Sequence, residues 1–253
     1  MVRFCVIRSA GTNCDMETVS AIRLAGGEPE LISLYSLRES PELLRNFQVL
    51  VFPGGFTYGD DLGAGKVFSL YLMHFLMDAL MEFIDRGGLI LGICNGFQIL
   101  VRTGLLPGVD FKQVVSLGCN DSDRFECRWV HLKVDPSSPA VFTRSLPEII
   151  ELPVAHMEGK FIADDKVLLD IEQKGLVPLR YCTEEGEPTM DYPYNPNGSM
   201  SAIAGICDST GRIMGLMPHP ERFVHVWHHP SWRKEEKIPV GLFFFTNAVE
   251  YFS

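Results

Sequence analysis

The 253-residue sequence predicts an α/β protein with a mostly parallel central sheet, helices on both faces and an added antiparallel portion. Three observations carry this expectation. Short apolar runs alternate with helix-length amphipathic stretches across residues 3–101, the order that builds βαβ units. Glycine-rich turns follow two of those runs, at 53–65 and 92–96. From residue 111 onward the alternation gives way to shorter strand-like segments and a hairpin signal.

The elements follow in order. Residues 3–7 read as a strand, 15–25 as a helix closed by Gly26-Gly27, 30–34 as a second strand and 48–52 as a third. A loop at 53–65 leads into a helix expected at 67–86. That stretch approaches bilayer-spanning length, but His74, Asp78, Glu82 and Asp85 recur at helical spacing as one polar stripe, which fits a helix lying on a sheet. Gly87-Gly88 break the chain before a buried-type strand at 88–93. Helical spacing resumes at 97–101 and stops at Gly104. In the second half, 111–116, 124–134 and 151–155 read as strands of a mixed or antiparallel portion. Residues 184–201, rich in Pro, Gly, Asn and Tyr, read as an ordered surface loop. A hairpin is expected from 202–207 and 212–217 around Asp208-Ser209-Thr210-Gly211, with a closing helix at 241–252. No repeat, low-complexity tract or linker interrupts the chain, so one domain spanning 1–253 is expected.

Composition removes several classes of function. A net charge of -10 with no Lys/Arg cluster argues against a nucleic-acid partner. The N-terminal eleven residues carry Arg3 and Arg8 in their apolar stretch, unlike a signal peptide. Seven cysteines with no C-x-x-C pair fit a reducing compartment, hence the cytoplasm, rather than a disulfide framework or a zinc site. No membrane partner is expected.

Gly92-Ile93-Cys94-Asn95-Gly96 joins the strand at 88–93 to the helix after it, the pattern of a nucleophile elbow with sulfur in place of oxygen. The helix N-terminus favours thiolate over thiol. A buried structural cysteine is the other reading. A cysteine nucleophile needs a base and an orienting partner, and Met217-Pro218-His219-Pro220-Glu221 offers both two residues apart in an extended segment. The loop 53–66 is not a phosphate cradle: Asp60 occupies the position of the first glycine of that motif, and Val67 follows Lys66. The loop instead offers a backbone N–H from Gly55 or Phe56 to an oxyanion, with Asn95 N–H as the second donor. A tight turn that simply needs glycines fits the same residues. His225, His228 and His229, near Trp227 and Trp232, suit an aromatic surface patch better than a metal site, and no metal is expected. His74, His131, His156 and the remaining cysteines are assigned to structure.

With these motifs in place, the chain resembles the class I, triad-type glutamine amidotransferases over nearly its whole length. The resemblance rests on 92–98 and 217–222, and on Pro53-Gly54-Gly55-Phe56-Thr57-Tyr58-Gly59-Asp60. Asn95, less usual than Leu or Tyr after the cysteine, points to the branch serving phosphoribosylformylglycinamidine synthase. The stretches 123–129, 155–161 and 192–198 look like that branch too. Met157 departs from the glycine more usual in its His-x-Glu-Gly motif, and the loop 225–237 is longer than in compact members. The resemblance implies a flavodoxin-like amidotransferase fold. It implies Cys94, His219 and Glu221 as catalytic residues, Gly55 and Asn95 as the oxyanion hole, and Gln98, Gly54 and Phe56 beside the glutamine substrate. It also implies no cofactor in this chain, a large synthetase subunit that uses ATP and Mg²⁺, and a small bridging subunit; as a separate expectation, the chain alone has low activity because its oxyanion hole is unassembled. The alternatives are a glutaminase serving another synthetase, a γ-glutamyl hydrolase, or a non-catalytic redox or interaction protein with an exposed cysteine.

Overall fold

The computed structural model describes all residues from 1 to 253. The first half runs β1 (Arg3–Arg8), α1 (Asp15–Leu24), β2 (Glu28–Ser33), α2 (Leu34–Glu39), β3 (Val49–Phe52), α3 (Lys66–Phe75), α4 (Met77–Asp85), β4 (Leu89–Ile93) and α5 (Asn95–Arg102). The second half runs β5 (Val115–Cys119), β6 (Glu126–Val134), β7 (Ile149–His156), β8 (Glu158–Ala163), α6 (Asp165–Gln173), β9 (Leu179–Cys182), β10 (Ile203–Cys207), β11 (Ile213–Leu216) and α7 (Gly241–Glu250).

Nine strands form one sheet in the order β2-β1-β3-β4-β11-β10-β9-β6-β7, and β5 pairs with β8 in a small antiparallel sheet. From β2 to β11 every pairing is parallel; from β11 to β7 every pairing is antiparallel. The chain leaves β1 toward one edge to make β2 and leaves β3 toward the other to make β4. Right-handed crossovers in opposite directions put α1 and α3 on opposite faces. Accordingly α1 packs with α7 on β1 and β2, while α5 packs with α3 beneath β3, β4 and β11. The β3 and β4 strands are buried at every position, as strands covered on both faces must be. Buried apolar residues from β1 to α7 join in one continuous core.

The α/β class, the parallel wing, the antiparallel addition and the β10–β11 hairpin all match the expectation. Four local readings need correction. The helix expected at 67–86 is two helices bent by 80°, broken at Leu76. The buried faces of the two pieces, Phe68 and Leu72 on α3 against Leu80 and Phe83 on α4, meet the core from different directions, and Leu76 is buried between them. No single helix is long and apolar enough to cross a membrane. Second, the strand expected at 30–34 ends at Ser33, whose hydroxyl caps a short helix by accepting the Ser36 N–H at 3.0 Å. Third, the sequence reading assigns no element to β8, α6 or β9, although Val167, Leu168 and Ile171 of α6 share one face at helical spacing, and the strand expected at 111–116 starts only at Val115. Fourth, the loop 184–201 is not all surface. Asn195, Asn197 and Ser199 are buried, and Asn197 Nδ2 donates to Gly159 O at 2.9 Å.

Because Leu76 fills the junction between α3 and α4, Leu76→Ala is expected to destabilise the fold by about 2–5 kcal/mol, read as a shift of the urea unfolding midpoint. A change within experimental error contradicts the packing described.

Candidate active site

Three neighbouring parallel strands, β3, β4 and β11, end side by side at Phe52, Ile93 and Leu216. In an open α/β sheet a crevice forms beyond such carboxyl ends. Cys94 begins the turn after β4, and its N–H donates to Leu216 O at 2.8 Å. Its backbone is left-handed, φ 52° and ψ −105°, a conformation that costs a non-glycine residue about 1–3 kcal/mol. The turn closes only because position 96 is glycine: a Cβ there would lie 1.9 Å from Phe52 O. The elbow so formed sets Sγ at the N-terminus of α5.

His219 follows β11, and Pro153 O on β7 accepts its N–H at 2.8 Å. Its Nδ1 is 2.6 Å from Glu221 Oε1, with both residues only 1 % exposed. A carboxylate accepts, so Nδ1 carries a hydrogen and Nε2 is the nitrogen left to exchange a proton with a neighbour. Burial works against a charged imidazole, but the Glu221 carboxylate, then Cys94, outweigh it and hold His219 well above its ordinary value of 6.5. Nε2 makes no hydrogen bond in this geometry, while Cys94 Sγ turns to Ala155 O at 3.7 Å. The thiol is nonetheless close enough for its charge to act on the imidazole.

Cys14, assigned to structure from sequence, lies in this cluster. Its Sγ is 4.0 Å from His219 Nδ1, and Arg222 Nη2 donates to it at 3.1 Å. Ligand atoms of Cys14, His219 and Glu221 fall within 4.8 Å of one another, a spacing open to a thiophilic cation. The Arg222 guanidinium already supplies the positive charge at that point and opposes a second one.

The loop after β3 is set by the loop after β1. Gly54 O accepts from Asn13 N at 3.3 Å and from Cys14 N at 3.2 Å. Since a trans peptide directs C=O and N–H to opposite sides, this double bond to the carbonyl aims the Gly55 N–H away from residues 13–14. The Gly55 N–H makes no hydrogen bond of its own. The Phe56 N–H, the other sequence candidate for an oxyanion donor, is engaged by Gly11 O at 2.9 Å. Gly11 must be glycine: its φ is +87° and a Cβ would stand 2.0 Å from Phe56 O. The Asn95 side chain secures the other end of the loop. Its Oδ1 accepts from Thr57 Oγ1 at 2.7 Å, and its Nδ2 donates to Gln98 Oε1 at 2.9 Å and Asp60 Oδ1 at 3.3 Å. The Asn95 N–H, at the start of α5, remains unpaired.

Cys94, Gly55, Phe56 and Gln98 line one cavity of about 190 Å³. That is below the ~300 Å³ at which drug-sized pockets begin, and fits a ligand of amino-acid size. Gln98 contributes to the wall with both ends of its amide engaged, Nε2 donating to Glu158 O at 2.6 Å. Phe56 stands at the mouth, half exposed, with its ring 6.2 Å from that of Phe125. Gly54 packs beneath, against the imidazole of His219. Three wall residues were missed from sequence: Asp60, His156 and Glu158. The signal was present, because His156-Met157-Glu158-Gly159 lies in a stretch recognised as family-like but given no role. The cluster near 225–229 divides: His225 stacks on exposed Trp227 at 4.3 Å, whereas His229 is buried against Trp129 and faces Glu151 at 3.5 Å.

Comparisons with known proteins agree with this geometry. The profile of the CobB/CobQ-like glutamine amidotransferase domain matches residues 1–252. Phosphoribosylformylglycinamidine synthase subunit PurQ of Dehalococcoides mccartyi is 46% identical over 253 residues, covering 99% of this chain and 97% of that one. The PurQ subunit of Methanococcus maripaludis strain C7 is 42% identical over 264 residues, covering 98% of this chain and 96% of that one. A chain in the structure of PurLQS from Thermotoga maritima superposes with a TM-score of 0.76 at 31% identity, covering 100% of this chain and 99% of that one.

The raised pKa of His219 has a consequence for stability. It adds free energy that is fully present below about pH 6.5 and is lost as the pH rises through the raised value. Glu221→Gln removes the charge that raises it. The stability gap between wild type and this variant, from urea unfolding across pH, is therefore expected to be widest below pH 6.5 and to narrow toward alkaline pH. A gap independent of pH contradicts the assignment.

Proposed function

Because the chain belongs to the CobB/CobQ-like glutamine amidotransferases, in the branch of the PurQ subunits of phosphoribosylformylglycinamidine synthase, we propose that Cys94, His219 and Glu221 are its catalytic triad for glutamine hydrolysis. One observation carries the reading. Adjacent strands β3, β4 and β11 end side by side, bringing an unpaired amide N–H and a thiol on a strained elbow to one small cavity, with a buried imidazole–carboxylate pair beside the thiol.

The chemistry follows from these groups. His219 Nε2 holds the proton that Cys94 has given up, and the thiolate sulfur attacks the side-chain carboxamide carbon of glutamine. Glu221 holds Nδ1–H and balances the imidazolium that forms. The tetrahedral oxyanion is held by the N–H groups of Gly55 and Asn95, neither of which donates to another group of the chain. Collapse breaks the C–N bond, and the leaving nitrogen takes the proton from His219 and departs as ammonia. Water, deprotonated by the same imidazole, then cleaves the glutamyl thioester to give glutamate and restore the thiol. Gly54, Phe56 and Gln98 shape the wall that holds the substrate.

The whole chain 1–253 acts as one amidotransferase domain, working in the cytoplasm. Its ammonia passes to a large synthetase subunit that uses ATP and Mg²⁺ to convert formylglycinamide ribonucleotide to formylglycinamidine ribonucleotide, with a small bridging subunit in the assembly. Phe56, Phe125 and Met157, exposed around the cavity mouth, support docking of a partner over the site. The likeness to a chain of PurLQS supports the same arrangement.

Cys94→Ala is expected to abolish glutamine-dependent synthesis by the assembled complex while leaving synthesis from added ammonia intact. Glutamine hydrolysis surviving in Cys94→Ala overturns the triad assignment. A complex that makes no product from ammonia overturns the synthetase partnership instead.

A further inference from the structure

One buried amide brackets a strained stretch of backbone beside Cys94. Tyr58, Gly59 and Asp60 are consecutive left-handed residues, with φ of 56°, 70° and 53°, and two of them carry side chains. Such a run persists only where its surroundings over-determine it. Asn95 acts on it from both ends. Its Oδ1 accepts from the Thr57 N–H at 3.4 Å and from Thr57 Oγ1 at 2.7 Å, just before the run. Its Nδ2 donates to Asp60 Oδ1 at 3.3 Å, on the last residue of the run. The backbone N–H of Thr57 can only donate, which fixes Oδ1 as the acceptor and Nδ2 as the donor. Nδ2 also donates to Gln98 Oε1 at 2.9 Å, and Gln98 Nε2 donates to Glu158 O at 2.6 Å. Asn95 is 0 % and Thr57 3 % exposed, so these bonds are made out of solvent.

The residue that holds this stretch is also one of the two oxyanion donors, because its own N–H opens α5 unpaired. The other donor, the Gly55 N–H, lies two residues before Thr57. Gly54 O and the Phe56 N–H are bonded to residues 11–14, which fixes the way the Gly55 peptide is turned. None of those partners belongs to α5, so they leave the distance from loop to helix unset. Hydrogen bonds from α5 to the loop come from Arg102 and Asn95. Arg102 Nε donates to Ala64 O at 2.6 Å, at the far end. Asn95 acts at the end that carries Gly55.

We propose that the Asn95 side chain positions the oxyanion hole: by bridging Thr57 and Asp60 it sets the spacing between its own backbone N–H and that of Gly55. This rests on the glutaminase reading above and adds what fixes the two donors relative to each other. The amide is a positioning group and makes no contact with substrate. A donor that drifts from its place is missed most when negative charge develops on the oxygen, so its loss falls on kcat and leaves KM little changed.

The test uses the chain in its synthetase complex and reads ammonia release from glutamine. Alkylation of the Cys94 thiol by iodoacetamide, mapped by mass spectrometry, is followed in parallel. That reaction forms the S–C bond with loss of iodide and develops no oxyanion, so it reports the nucleophile alone. Thr57→Val removes the hydroxyl donor at nearly constant shape, and Thr57→Ser keeps it. Asn95→Leu removes the amide and leaves the backbone N–H in place. Thr57→Val and Asn95→Leu are each expected to lower kcat by about tenfold or more, with KM little changed and Cys94 alkylated at the wild-type rate. Thr57→Ser is expected to keep the wild-type kcat. A wild-type kcat in Thr57→Val overturns the proposal, whether or not Asn95→Leu folds, as does a Thr57→Ser that falls with Thr57→Val. Loss of kcat matched by an equal loss of Cys94 alkylation also overturns it, because the damage then lies in the elbow and not in the spacing of the donors. Absence of glutamine hydrolysis by the wild-type complex counts against the glutaminase reading itself, which separates the two failures.

Discussion

Leu216 O accepts the Cys94 N–H at 2.8 Å, and through that bond the end of β11 is locked beside the end of β4. Nothing in the primary order of the chain brings residues 94 and 219 together. The parallel register of β4 against β11 does so, pairing Ile93 with Leu216. The same register on the other side pairs Phe52 with Gly92, which fixes where the Gly54–Gly55 peptide begins. A thiol, its base and its oxyanion donors thus share one crevice as a consequence of strand pairing. A one-residue slip in either ladder would turn each of these groups to the opposite face.

The site stores unfavourable energy that this frame must hold. Cys94 sits in a strained backbone, and His219 and Glu221 are removed from water as a pair. Taking two charges into the interior costs several kcal/mol each before their attraction offsets it, so such a pair is weak evidence of stabilisation and better evidence of use. Each remains satisfied on one side only. Nδ1 and Oε1 bond one another, while Nε2 and Oε2 are left without partners. A buried imidazole nitrogen left without a partner beside a thiol is what a proton shuttle requires. Cys14 Sγ lies 4.0 Å from Nδ1, the nitrogen that Glu221 already holds, and Arg222 Nη2 donates to that sulfur.

Much of this was legible in the sequence, and the limits have physical causes. The elbow could be read because only glycine fits at position 96 and only a strand–turn–helix accounts for the runs around Cys94. His219 and Glu221 could be read as a base and its partner two residues on, but the extended segment expected there is a 3-10 turn at Pro220–Arg222, and the pair meets across that turn. The choice between Gly55 and Phe56 as donor could not be read, since it depends on Gly11 and Cys14, residues of a different loop that meet Gly54 only across the sheet. The break at Leu76 was hidden for the same reason: it follows from the direction of the core, and the local sequence stays helical throughout. Asp60, His156 and Glu158 escaped because lone polar residues acquire meaning only when folding brings them to one wall.

The central claim is that Cys94 carries the glutamyl group between attack and hydrolysis. Mixing the synthetase complex with glutamine, quenching in acid within the first turnovers and mapping peptides by mass spectrometry tests it most directly. A glutamyl adduct on the peptide containing Cys94, absent in Glu221→Gln quenched at the same time because its imidazole is no longer oriented, is the predicted result. Steady hydrolysis of glutamine with no adduct on Cys94 at any quench time, or an adduct on Cys14 instead, would contradict it.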